Sequence, residues 1–122
     1  MTATNATIVS ASLEGGNSKI VIGNTSTIDT INVNAQGVNV EVLGAAKTIN
    51  TSSQAQNAEI AVRAGAKVDN VTVNSQGTTI SGRGTVTNVA ANANNVAVTT
   101  PNTTVTAGSG TTGVTAGGTP VA

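Results

Sequence analysis

When the sequence is displaced by 20 residues, its apolar positions fall on one another. Ile8, Ala11, Leu13, Ile20 and Ile22 overlay Ile28, Ile31, Val33, Val40 and Val42. A second displacement gives Thr48, Thr51, Ser53, Ile60 and Val62, with Ile49 one place from the strongest column. Val68, Val71, Val73 and Ile80 follow, and the period then shortens to about 18 to give Val86, Val89, Ala91 and Val98. A weaker unit begins at Val105 and carries Val114 and Ala116. A fixed period of this length marks a repeat architecture, in which each unit covers its neighbour's apolar face. The reading is a lead-in over 1–7 and a repeat region over 8–122, with units starting near 8, 28, 48, 68, 86 and 105.

Within a unit the apolar residues alternate with polar ones, as in INVN (31–34), VNVEV (38–42) and VTVN (71–74). Period-two alternation predicts strands with one buried face. The turns recur in phase: AQG (35–37), AQN (55–57), SQG (75–77) and ANN (93–95) end in Gly37, Asn57, Gly77 and Asn95. Gly and Asn tolerate the left-handed backbone that a sharp corner requires. Gly44, Gly65 and Gly84 mark a second corner. Equivalent strands stacked in parallel about 4.8 Å apart would wind an all-β parallel solenoid of about six rungs with a Val/Ile interior, roughly 29 Å long. A β-sandwich with strands every 8–12 residues predicts neither the fixed corner nor the phase.

Composition agrees with that architecture and narrows the chemistry. The 17 Val, eight Ile and two Leu supply small branched side chains for a thin bore, and 22 Thr and 15 Asn supply strand faces and turns. The chain has no His, Cys, Trp, Tyr or Phe. It therefore lacks the usual ligands for zinc, haem or iron–sulfur clusters, imidazole and thiol catalysts, and aromatic stacking platforms. Five basic and five acidic residues leave no electrostatic footprint for nucleic acid. No apolar run approaches the roughly 20 residues of a membrane span. No cofactor or metal is expected.

The stretch GRGTVTNVAANANNVAVTTPNTTVTAGSGTTGVTAGGTPV (82–121) resembles a β-helical repeat of secreted or cell-wall-associated proteins of Gram-positive bacteria, whose units follow GTV-x-NV-x-VNA-x-x-V-x-V. The likeness is clearest over 66–121. It implies a non-catalytic, extracellular, structural or adhesive module at the cell surface. No signal peptide follows Met1, in contrast to a secreted precursor.

The inward ladder is expected to comprise Ile8, Leu13, Ile20, Ile28, Ile31, Val33, Val40, Ile60, Val68, Val71, Val73, Ile80, Val86, Val89 and Val98. On the outside, Asn34, Gln54, Asn74 and Asn92, with Glu14 before them, fall on successive units. Such amides can bond to one another along the rod, as in cross-β ladders, or serve as a polar binding stripe. Thr25/Thr27, Thr85/Thr87 and Thr104/Thr106 resemble the threonine arrays of ice-binding proteins, but Lys47, Lys67 and Asp69 interrupt that face. Asp29 and Asp69 lie two units apart, roughly 10 Å, without the surroundings of a paired-carboxylate catalyst. Pairing of Asp29 with Lys47, and of Lys67 with Asp69, is the simpler expectation.

These features favour a structural protein over an enzyme. The expectation is an extracellular rod that stacks head to tail through its bare ends into a fibre, or serves as a spacer. A module that binds cell-wall glycan or another surface partner is the alternative, and ice binding a remote one. Pro120 is the one obvious blocker of strand pairing in the last unit.

Overall fold

A computed structural model describes residues 2–100 and 103–121. Long strands β2 (Thr7–Leu13), β4 (Thr27–Val33), β6 (Ala45–Thr51), β8 (Lys67–Val73), β10 (Thr85–Ala91) and β12 (Thr104–Ala107) stack in one six-stranded parallel sheet. The intervening short strands are β1 (Thr2–Ala3), β3 (Lys19–Ile22), β5 (Asn39–Val42), β7 (Glu59–Val62), β9 (Thr79–Ser81), β11 (Ala97–Val98) and β13 (Thr115–Ala116). They form a second parallel sheet, to which β14 (Thr119–Pro120) adds antiparallel to β13. Each sheet takes every second strand in order, so the chain circles from one to the other and advances one place per circuit. The fold is an all-β parallel solenoid. Six long strands enclose five turns, slightly fewer than the sequence suggests.

The inward residues of a long strand do not alternate throughout. In β4 they are Ile28, Ile31 and Val33, with Asp29 and Thr30 outward in succession. Two consecutive outward residues bend the strand, which is why one long strand reads as two short ones in the sequence. Every expected ladder residue is buried except Ile8, which is partly exposed. Ile8 belongs to the first long strand, and none of the described strands covers its outer side. Residues 2–7 are also part of the solenoid, since Thr2 pairs with Val21 and Ala3 with Ile22.

The third unit corrects the 20-residue phase. Ile28 pairs with Ala46, Ile31 with Ile49 and Val33 with Thr51, so the unit starts at 46 and not at 48. Ala46, Ile49 and Thr51 then pair with Val68, Val71 and Val73. The steps are thus 18 and 22 residues along this sheet (46 − 28 and 68 − 46). On the short-strand sheet Val40 pairs with Ile60, a step of 20. A tight corner at 43–44 has removed two residues, and a longer corner at 52–57 returns them. Thr51 accordingly lies in the bore, where its Oγ1 meets Ser75 Oγ at 2.9 Å, and Ser75 meets Thr78 Oγ1 at 2.8 Å. Among the described residues no buried side-chain nitrogen or oxygen lacks a partner, so this internal polar patch is satisfied.

Successive corners alternate between two forms. Asn17, Gly37, Asn57, Gly77, Asn95 and Gly113 form one column, all with φ between +58° and +75°. A Cβ on Gly37, Gly77 or Gly113 would collide with Oδ1 of the preceding asparagine. The asparagine thus occupies the space that the next glycine leaves open. At the other corner, four-residue turns at 23–26 and 63–66 alternate with two-residue turns at 43–44 and 83–84. A Cβ on Gly44 would strike the carbonyl oxygens of Gly23 and Ser26, so the tight turn nests against the wide one. The four entering corners between 23 and 84, and the Asn or Gly identity of the leaving corner, therefore repeat every two turns of the solenoid, a longer unit than the apolar ladder reveals.

Candidate functional site

Functional groups can stand only on the outward faces and corners, because the bore is filled. The amide corner carries the densest polar array. Asn34 Nδ2 donates to Glu14 Oε1 at 2.9 Å, and Asn92 Nδ2 donates to Asn74 Oδ1 at 3.2 Å. Gln54 does not join this column. The backbone N–H of Ser52 donates to Val33, as those of Asn34, Asn74 and Asn92 do to Leu13, Thr51 and Val73. Ser52 therefore holds the position assigned to Gln54, displaced by the two-residue insertion. The stripe is two bonded pairs separated by a serine, not a continuous ladder.

A second amide column escapes the sequence reading. Gln36, Gln56, Gln76 and Asn94 lie on successive rungs, and their carbonyls accept N–H bonds from Asn17, Gly37, Asn57 and Gly77. Their side chains are exposed. The column's signal in the sequence is the middle residue of AQG, AQN, SQG and ANN, beside the turn-forming last residue. Two smaller amide contacts, Asn50 to Asn32 at 3.4 Å and Asn88 to Asn70 at 3.5 Å, lie on the long-strand face.

Charged groups gather in two places. On the short-strand face, Glu41 meets Arg63 Nε at 3.2 Å and Lys19 Nζ at 3.5 Å. The Arg63 hydrogen bond, with Lys19 adding to it, holds the Glu41 carboxyl below its ordinary value of 4.5 against the opposing effect of burial. This triad was missed because its members are diagonal neighbours across strands, not members of one column. On the long-strand face Lys67 Nζ lies 3.8 Å from Asp69. Lys47 stands in the column between Asp29 and Asp69, where the slipped phase had put Ile49. Two carboxylates with a lysine between them do not form an acid–base pair. Among the described residues, no three His, Cys, Asp or Glu side chains converge on a metal position, and no helix is long and apolar enough to cross a membrane.

The left-handed turn residues are thus structural, the two charged clusters lie at the surface with Glu41 and Asp69 in ion pairs, and the amide side chains are the remaining candidate for recognition. Compared with known family models, curated proteins and solved structures, the chain has no match.

Proposed function

We propose that the chain is a non-catalytic structural element, a rigid rod that works outside the cell as a spacer or display arm. The observation that carries this reading is the unbroken parallel pairing from β2 to β12, with the same inward aliphatic columns on nearly every turn. Backbone bonds along the axis and interlocked side chains around it resist both bending and stretching. The resemblance of 82–121 to surface-associated β-helical repeats supports the location.

The C-terminal hairpin favours a terminated rod over a seamless fibre. A second copy placing its β2 against the free side of β12 would bring its β1 into the slot that β13 holds. Its β3 would meet β14 in the same way. Pro120 in β14 also lacks an N–H to donate. Negative-stain electron microscopy across a concentration series, with light scattering for mass, tests the reading. Discrete short rods of monomer mass are expected. Filaments one solenoid wide would replace the spacer with a fibre subunit, and globular or collapsed particles would overturn the rod altogether.

A further inference from the structure

The amide corner is not uniform along the rod, and its irregularity builds a cleft. Four residues suffice for this corner in most turns, as at 74–77 and 92–95. Two turns use six: 52–57 and 108–113. Each long corner closes a local turn, with Ala55 N–H donating to Ser52 at 3.0 Å and Thr111 N–H donating to Gly108 at 3.2 Å. The two long corners lie three strand spacings apart, about 14 Å, with the two short corners recessed between them. The recess is a shallow, largely open cleft of about 340 Å³, bordered by Ser53 and Gln56 on one side and Ser109–Thr111 on the other. Its floor presents Asn74, Gln76, Asn92 and Asn94.

We propose that this cleft is a binding site for a short neutral oligosaccharide. Every side chain with a functional group in it is an uncharged amide or hydroxyl, in contrast to the two charged hollows on the strand faces. Charged ligands find no counter-ion there, and an extended peptide finds no apolar pocket for its side chains. Carboxamides match vicinal hydroxyls, because each amide offers a donor and an acceptor side by side. The existing bonds orient these groups without exhausting them. Asn92 Nδ2 donates to Asn74 Oδ1, which leaves Asn92 Oδ1 and Asn74 Nδ2 for a ligand. Asn94 Oδ1 accepts from the Thr112 N–H at 2.9 Å, which fixes that side chain and leaves its Nδ2. With no aromatic ring to stack on a sugar face, affinity is in the millimolar range. This site goes beyond the rod reading and does not depend on it, since a spacer needs no ligand.

The test is a titration of the 15N-labelled full chain with cellotriose and, separately, with triacetylchitotriose. Side-chain amide resonances of Asn74, Gln76, Asn92 and Asn94 are followed. They are expected to shift together and saturate with at least one sugar. Gln36, in the same column as Gln76 but outside the cleft, is expected not to move. Gln76→Ala combined with Asn92→Ala should weaken binding about tenfold or more, from two lost hydrogen bonds. Gln76→Ser alone should weaken it less and serves if the double variant misfolds. The proposal is overturned if neither sugar shifts these amides, if Gln36 shifts equally, or if the variants bind as the parent does. None of these results bears on the particle shape that tests the rod.

Discussion

The corner leading into a long strand uses four residues at 23–26 and 63–66 but two at 43–44 and 83–84. The corner leaving it uses four residues in most turns and six at 52–57 and 108–113. Both corners change length by two residues, yet the paired columns between them never skip. A turn at the surface can lengthen at small entropic cost, whereas a strand within a stack must meet both neighbours in register. The two corners also fail differently. The entering corner is constrained by backbone, as Gly44 lies against the carbonyls of Gly23 and Ser26. The leaving corner is constrained by a side chain, the asparagine under each glycine.

The sharpest way to break the contrast is to strike the ladder between the corners. Val40 is 1% exposed and Ile60 fully buried, so Val40→Asp or Ile60→Asp places an unpaired carboxylate in the bore. Each should abolish the cooperative β signal in circular dichroism. A native spectrum would show that the position does not face inward.

A second pair of variants separates steric from conformational cost. Gly77 has φ +75° and Asn57 Oδ1 where its Cβ would go, while Gly65 has φ +85° and nothing within 4 Å. Gly65→Ala should cost about 1–2 kcal/mol in denaturant unfolding, the left-handed penalty alone. Gly77→Ala should cost more, and the double variant Asn57→Gly/Gly77→Ala should recover part of the excess. Equal costs at the two sites would remove the role assigned to the asparagine.

Length tolerance gives the third test. Deleting Ser52 and Ser53 should return that corner to four residues and leave the fold intact, with a small change in melting temperature. Deleting Ile49 and Asn50 removes two residues from a paired strand and should unfold the chain. If the two deletions behave alike, corners and strands do not differ as argued.

The smallest effect is electrostatic. Glu41 has a lowered folded-state pKa, so its contribution is present above the unfolded value and is lost as pH falls through the folded one. Glu41→Gln should therefore be slightly less stable than the parent at neutral pH. That difference should fade in acid below the ordinary 4.5. A gap that persists at low pH would point to packing and not to charge.

Much of the fold was legible because aliphatic side chains recur with the period of the coil. Val40, Ile60 and Ile80 align by simple displacement, since corner changes before and after them cancel. Ala46 was not legible, and Thr51 falls by simple displacement on the column of Ile31, not on that of Val33 where it pairs. Their places in the core depend on two opposite length changes that leave the overall phase near 20 residues, and neither residue is apolar enough to announce itself. For the same reason Gln54 was put where Ser52 stands. The Lys19–Glu41–Arg63 triad was out of reach for a different reason, because diagonal contacts cross both strand and column.

By itself the sequence determined the fold class, the inward ladder and the left-handed corners, because burial and backbone sterics act on each residue through its immediate neighbours and its repeat equivalents. Only the tertiary structure decided the register of the third turn, the two-turn alternation of the corners, the antiparallel close at β14 and the cleft between the long corners. Each of these depends on which surface turn yields when stacked strands must stay paired, and that choice is made by contacts between rungs.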